Sequence, residues 1–539
     1  MTKDEKQDFE YTCVACDNAD VACGEAGMSS DDAGALYTRI APCGAPLHGR
    51  ICVPGDKSIS HRAVLFAAMA KGTSHLEGVL DSADVRSSIA AVSALGAQVH
   101  LKKQADGSLA GTISGWGSAG PRQPSNEIDC GNSGTTARLL MGILAPWDVC
   151  VTLTGDSSLK KRPMRRITRP LSEMGASFSP EGKETLPLTV CGTRDLRGIT
   201  HSSSVASAQV KTAVLLAGVY ARGITTLYEP ALSRNHTELM LPDFGVAVES
   251  TTGACEMCAP VGDVGMSDAP TCYSASVAGP ASLVSSNVVV PGDPSSAAFL
   301  ACAALLCPQS CITVDNVSLN PARIGFVRVL ERMGASITCK VSTSQSKEPI
   351  GALMVNYTPH LQACEVLASE IASLIDEIPV LALVAAHAHG VSVFREVGEL
   401  RIKETDRLSA IIGGLDLQGV HAWAEGNDLY VEGKGDFADD SVGVSADAAV
   451  RTSTPTQAGT SASAPVQAVT LASEPVQTGT LASALNVGVL KFDSGGDHRL
   501  AITWALVGLA GEKEVMVKDF DCVKISYPQF LDDIRKLTN

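Results

Sequence analysis

The spacing of apolar positions changes period repeatedly along the chain. Val85–Leu95 and Arg323–Met333 place apolar residues three to four apart, the repeat of one helix face. Each runs into a short β-like stretch through the same joint: an apolar residue, Gly and a small residue. The joint appears as Leu95-Gly96-Ala97, Met174-Gly175-Ala176, Phe244-Gly245-Val246 and Met333-Gly334-Ala335, and more loosely as Gln418-Gly419-Val420. Its glycines lie 79, 70, 89 and 85 positions apart. Glycine just past a helix end takes the left-handed conformation without steric cost. Each unit therefore reads as helix, stop, strand, and a sixth closes with Pro528–Leu537. Five or six such units predict a repeated α/β architecture and argue against one doubly wound sheet. Further helices are expected at Ala63–Ala70 and Leu500–Leu509.

Two stretches break the pattern. Residues 252–286, rich in Gly, Ala, Ser, Cys and Pro, read as a long loop. Residues 440–486 contain a ten-residue repeat in three copies, beginning at Pro455, Pro465 and Pro475, without an aromatic residue. Such a segment buries too little apolar area to offset its ordering entropy, and reads as a disordered insertion in a surface loop. Residues 1–35 hold nine acids and two lysines without an apolar run, unlike a secretory or transit peptide. They are expected to be a mobile extension.

Length and composition narrow the class. At ~100–200 residues per domain, 539 residues imply two to four domains. With 45% hydrophobic and 19% charged residues, wholesale disorder is excluded; 4% aromatics make the core aliphatic. A net charge of −16 argues against a nucleic-acid or membrane-surface binder, so cations for an anionic ligand must be concentrated in one place. No apolar run reaches the ~18 residues of a membrane span. Seventeen scattered cysteines suggest free thiols in a reducing cytoplasm. Cys13 and Cys16, with Cys23 nearby, have only a partial metal-binding spacing, and no metal is expected.

Several segments do concentrate polar chemistry. Pro54-Gly55-Asp56-Lys57-Ser58-Ile59-Ser60-His61-Arg62 opens a helix that Ser58 or Ser60 can cap, and cations beside a helix start make an anion site. Asp129-Cys130-Gly131-Asn132-Ser133-Gly134-Thr135 is a small-residue turn before a helix, equally readable as an ordinary glycine turn. The basic run Asp156–Arg166 contains Arg162, biased to an extended backbone by Pro163; a solvated face is its alternative reading. Asp376 and Glu377 sit within an apolar segment, which suggests a site if they are buried. Lys403-Glu404-Thr405-Asp406-Arg407 alternates charge at a helix start. Asp497-His498-Arg499 precedes an apolar helix, and Lys524 stands before Tyr527-Pro528.

Taken in order, PGDKSISHRA, GNSGTTARL, KRPM, SAQVKTAVLLAG, GDPSSAAF, IDEIP, RIKETDRL and GDHR resemble the motif series of the 5-enolpyruvylshikimate-3-phosphate synthases, from about residue 40 to 537. The form with S-A-Q in the third helix motif is similar to the bacterial class. The resemblance implies two similar domains, each of three βαβαββ-type repeats, an inverse α/β barrel with its active site in the interdomain cleft. Residues 36–54 and 292–539 would form one domain and 55–291 the other, crossing near Pro54-Gly55 and Pro291-Gly292. These Pro-Gly joints read as turns or hinges on their own.

The implied reaction joins the 5-hydroxyl of shikimate 3-phosphate to C2 of phosphoenolpyruvate and then expels phosphate. It implies Lys57, Ser58, Arg62, Ser207, Ala208, Gln209, Arg234, Asp376 and Lys403 around shikimate 3-phosphate. Lys57, Asn132, Gly134, Arg162, Gln209, Arg407, Arg499 and Lys524 would hold phosphoenolpyruvate. Asp376 would take the hydroxyl proton, Glu404 would protonate C3 and later deprotonate it, Lys57 would serve the leaving phosphate, and His498 would lie near Glu404. Ala208 replaces a second serine found in other members, and His236 stands where some have tyrosine. No cofactor is implied; the inhibitor glyphosate, a monomer and a cytoplasmic enzyme are. The related transferase that uses UDP-N-acetylglucosamine would need a loop cysteine and an S-G-A-K-N opening, where this chain has Asp56-Lys57-Ser58. A non-catalytic homologue would have lost Asp376, Glu404 or Lys57.

Closure entropy grows only logarithmically with loop length. Deleting Pro455–Ala484 should therefore leave catalytic rate and melting temperature nearly unchanged; a collapse of either would make the repeats part of the folded protein.

Overall fold

In the computed structural model, residues 28–30, 36–254, 271–342, 347–435 and 489–538 are described. All of the 440–486 insertion, most of the 1–35 extension and the early cysteines lie outside them.

The five stop glycines all have positive φ, from 66° to 117°. At each joint the following residue's N–H reaches back past the helix end: Ala97 to Val92, Ala176 to Leu171, Val246 to Leu241, Ala335 to Leu330 and Val420 to Leu415. These bonds satisfy terminal carbonyls that the helix leaves open. Strands Gln98–Lys103, Ser177–Ser179, Glu249–Ala254, Ser336–Ser342 and Ala422–Glu425 follow. The sixth unit ends on helix Phe530–Thr538 without such a glycine.

Among the described residues the units build six four-stranded sheets, each with one parallel edge pair and two antiparallel pairs. The sheets bury one face. Helices Lys57–Met69, Gly134–Leu144 and Ala208–Tyr220 are buried on nearly all sides within one hydrophobic cluster, formed between residues 59 and 290. Pro294–Leu306, Ile378–Ala386 and His498–Ala510 occupy the same place in a second cluster, formed by residues 40–53 and 297–537. Helices apolar all round must lie inside a core, and this accounts for the aliphatic composition.

The chain changes cluster twice, side by side. Strand His48–Cys52 pairs with Cys311–Ser318 and strand Asn287–Val289 with Lys71–Val79, so neither pairs with the strand of the helix that follows it. At the crossing, the Asp56 N–H donates to the Pro291 carbonyl at 2.7 Å and the Asp293 N–H to the Pro54 carbonyl at 2.9 Å. Gly55 and Gly292 face each other across this antiparallel bridge, packed too closely for a side chain.

Four expectations change. Asp56, rather than Ser58 or Ser60, caps the first helix, accepting from the Ile59 N–H at 2.7 Å; its carboxylate lies at the required offset of three residues. The 252–286 segment is not one long loop: Glu249–Ala254 and Thr271–Gly279 pair as antiparallel strands, and Asn287–Val289 follows. Within the expected extension, Met28–Ser30 adds an edge strand to Leu36–Ile40. Not every cysteine is a free thiol: Cys150 and Cys191 are directly paired neighbours on adjacent strands and form a disulfide.

Beside the crossing, buried Arg323 donates to Asp56 at 2.8 Å, to Asp293 at 2.9 Å and to the Ser295 hydroxyl at 3.0 Å. Asp56 and Asp293 are the N-caps of the two helices that begin where the chain crosses. Removing one partner of a buried ion pair costs ~3–5 kcal/mol because the remaining charge is uncompensated. Arg323→Met should lower unfolding stability by about that amount in chemical denaturation. A change below about 1 kcal/mol would show that the crossing does not depend on this guanidinium.

Candidate active site

The polar motifs lie at helix starts whose first turns bond one another. Lys57 is the first residue of its helix, and its ammonium contacts Asp84 at 2.5 Å. Ser133 caps Gly134–Leu144 by accepting the Thr136 N–H. Gln209, in the first turn of Ala208–Tyr220, donates to the Thr135 hydroxyl at 2.9 Å and accepts from Arg138 at 2.6 Å. Ser207 precedes this helix without a side-chain cap bond. Arg407 begins helix Arg407–Leu417, capped by Asp406, and Asp497 caps His498–Ala510. Helix N-termini carry positive partial charge and free N–H groups, so their convergence suits anions.

At the centre, Arg407 is buried and divides its guanidinium among three acids. Nε donates to Asp497 at 2.6 Å, Nη1 to Asp376 at 3.1 Å and Nη2 to Glu404 at 2.6 Å. Asp376 also accepts from Arg234 and lies 3.6 Å from both Lys403 and Arg499. Its neighbour Glu377 faces Arg499 at 3.6 Å and accepts from the Ser295 hydroxyl. Glu404 faces Arg162 at 3.9 Å, and Arg162 donates to the Asn132 side-chain carbonyl at 2.7 Å. Arg234 also donates to the Ser58 hydroxyl at 3.2 Å, while Arg62 is buried on Thr237, Thr212 and the Ser58 carbonyl.

Burial opposes charge on Asp376, yet Arg499, Lys403, Arg234 and Arg407 hold it well below the usual carboxylate range. Burial likewise opposes charge on Glu404, and Arg407, then His498, Arg162 and Lys403, overrule it. Burial, with Lys57 and Arg499, holds His498 well below its ordinary value. Burial also lowers Arg62 and Arg138 to about 10.

Most expected site residues are thus linked through one another. Lys524 is not: it is exposed and paired with Asp521 at 2.8 Å on turn Phe520–Ile525. Glu404 and Lys403 are open to solvent on about a quarter of their side chains, 26% and 28%, marking the accessible side of the cluster. Sequence reasoning assigned no role to Asp84, Arg138, Arg323 or Glu348. Asp84 lacked a signal because folding supplies its partner; Arg138 stood inside a quoted motif. Glu348 accepts from Ser318 and Asn320 and faces His236 at 3.3 Å; burial would raise it, but these partners hold it at about 2. Among the described residues no cluster of His, Cys, Asp and Glu suits a metal ion, and no helix is long and apolar enough to cross a membrane.

The model of the family "EPSP synthase (3-phosphoshikimate 1-carboxyvinyltransferase)" matches residues 42–447 and 473–534. The 3-phosphoshikimate 1-carboxyvinyltransferase of Acidiphilium cryptum is 39% identical over 490 residues, covering 91% of this chain and 94% of the relative. That of Rhodospirillum rubrum is 43% identical over 390 residues, 72% of this chain and 83% of its own. The solved EPSP synthase of Acinetobacter baumannii superposes with a TM-score of 0.71 at 31% identity, covering 93% of this chain and 98% of that one. With its ordered helix-start motifs, its repeated α/β units and this coverage, the chain belongs to the EPSP synthase family.

Proposed function

We propose that this enzyme transfers the enolpyruvyl group of phosphoenolpyruvate to the 5-hydroxyl of shikimate 3-phosphate and releases phosphate, a step of aromatic amino acid biosynthesis. The observation that carries the reading is Arg407, whose one guanidinium holds Asp376 and Glu404 together among four further cations, Arg162, Arg234, Lys403 and Arg499. Two acids of this kind suit the proton transfers at O5 and at C3, and the cations suit substrates bearing phosphates and carboxylates.

The two hydrophobic clusters support a division into domains, 36–54 with 292–539 against 55–291, with substrates in the cleft between them. Lys57, Ser58, Arg62, Ser207, Gln209, Arg234 and Lys403 would hold shikimate 3-phosphate. Asn132, the Gly134 turn, Arg162, Arg407 and Arg499 would hold phosphoenolpyruvate; Lys524, turned to Asp521, is left out. Ala208 offers only its backbone. Asp376 accepts the hydroxyl proton, which goes from O5 to the carboxylate as the O5–C2 bond forms. Glu404 protonates C3, then removes a proton from it as the C2–O bond to phosphate breaks. Lys57 neutralises the leaving phosphate, and neutral His498 packs at the Glu404 side.

Glu404 is held ionised by its cations, so it must gain a proton before donating one. Substrate anions that claim Arg162 and Arg407 withdraw positive charge from Glu404. Its pKa then rises, because an anion beside a carboxyl favours the neutral form. Closing the cleft excludes water and strengthens the effect. The reading includes a cytoplasmic monomer.

Mixing both substrates should release phosphate, and either alone should not. Glu404→Gln and Asp376→Asn should each lower kcat by ~10²–10⁴-fold while changing substrate affinity far less. Near-normal turnover would remove that residue from the chemistry.

Gly134 supports a second prediction. A Cβ there would lie 2.9 Å from Arg138 Nη1 and 3.4 Å from Arg162 Nη1, crowding two guanidinium groups. Glyphosate is longer than phosphoenolpyruvate and would tolerate that displacement less. The native enzyme should be inhibited, and Gly134→Ala should raise the inhibition constant roughly 5- to 150-fold, as for a ~1–3 kcal/mol overpacking cost. Phosphoenolpyruvate KM should rise less. Equal inhibition of both proteins, measured at saturating shikimate 3-phosphate, would place Gly134 away from that subsite.

A further inference from the structure

Arg234 stands on a short loop that buried charges grip from two sides. On its own side, Lys211 contacts Glu229 at 2.7 Å, Glu238 at 2.8 Å and the Ser233 carbonyl at 3.3 Å. Glu229 in turn accepts the Ser233 N–H and hydroxyl. These groups fix the loop to helix Ala208–Tyr220, but that helix belongs to one hydrophobic cluster and Asp376 is attached to the other.

The grip from the second cluster falls on the two residues after Arg234. Asn320 donates to the Asn235 side-chain carbonyl at 2.8 Å and to Glu348 at 3.1 Å. Glu348, also held by the Ser318 hydroxyl at 2.6 Å, faces His236 Nδ1 at 3.3 Å. Glu348 and His236 are both buried, at 5% and 0% exposure, so the charge is kept where water does not screen it. Asn320 and Arg323 share one turn, so the same backbone also reaches Asp56 beside Lys57.

We infer that Glu348 is a positioning residue: through His236 and Asn320 it sets the loop so that the Arg234 guanidinium meets Asp376 and Ser58. Glu348 acts through Arg234 alone. The inference rests on the reading above, in which Arg234 and Asp376 engage shikimate 3-phosphate.

Glu348→Gln keeps the shape and the bonds from Ser318 and Asn320 but removes the charge facing His236. Small displacements of a positioning group cost up to ~10²-fold in rate. The variant should raise KM and the equilibrium Kd for shikimate 3-phosphate roughly 10-fold and lower kcat, leaving phosphoenolpyruvate KM within about twofold. Its effect should vanish in the background of Arg234→Lys, since residues acting through one another are non-additive. Asn320→Ala should shift the same constants in the same direction, and it decides the matter if Glu348→Gln does not fold. The inference is overturned if the variants match the native enzyme, if both substrates are affected alike, or if the effects simply add to that of Arg234→Lys. Failure of the native enzyme to release phosphate from the two substrates would instead overturn the functional reading.

Discussion

The interaction on which the rest depends is the contact of Arg323 with Asp56 and Asp293. Two helices begin where the chain passes from one hydrophobic cluster to the other, and both are capped by a buried aspartate. Such caps satisfy helix N–H groups but leave two carboxylates facing each other in a site without water. One guanidinium between them removes that repulsion, and its own burial is offset by the pair: burial would lower its pKa, but the acids raise it above the ordinary value. The result is a fixed crossing one residue before Lys57. From Asp293 the same network continues through Ser295 to Glu377 and Arg499, so the crossing and the acid–cation cluster around Arg407 share one set of buried charges.

Helix starts, rather than stop glycines, explain why that cluster lies where it does. The helices that end on stop glycines, such as Ala83–Ala94 and Gly325–Arg332, are mostly not the buried helices that carry the site. Lys57, Gln209, Arg407 and Arg499 instead all lie in the first turns of their helices. A protein with a net charge of −16 can thus assemble a local excess of guanidinium and ammonium groups beside helix N-termini. Electrostatics alone would favour neutralising them, and the acids at Asp376, Glu404 and Asp497 do so. The same pairing balances the positive charge that gathers at the helix starts.

What was legible in the sequence was local. The five stop glycines could be found because the left-handed position needs only residues adjacent in sequence. The site motifs could be found for the same reason: each is one turn and the start of one helix. Their partners could not. Lys57 meets Asp84 and His236 meets Glu348, 112 positions away, only because separate units fold against each other. No spacing rule connects them. The cap was misplaced within a correctly located segment, since Asp56, Ser58 and Ser60 are all competent caps and only the three-residue offset to the bonded N–H selects Asp56. Lys524 was drawn to the site by its motif, whereas in the structure Asp521, three residues earlier, satisfies its charge. The strands inside 252–286 were obscured by Ser, Ala and Gly, residues that pair through their backbones without an apolar signature.

The position of the long insertion follows from the same geometry. It leaves the described chain after strand Asp428–Lys434 and returns at strand Leu490–Asp493. The returning strand runs directly into Asp497, so its end, not its beginning, delivers the helix start to the site. Four strand residues at ~3.3 Å each set the attachment point about 13 Å back from that end. The family model passes over residues 448–472, so the architecture does not require them. Strand Leu490–Asp493 is fixed in parallel register to Val515–Lys518, with Phe492 stacked on Trp504 inside the core. That packing isolates the placement of His498 and Arg499 from whatever precedes the strand. Register and core packing, rather than the length of the connection, determine where helix His498–Ala510 begins.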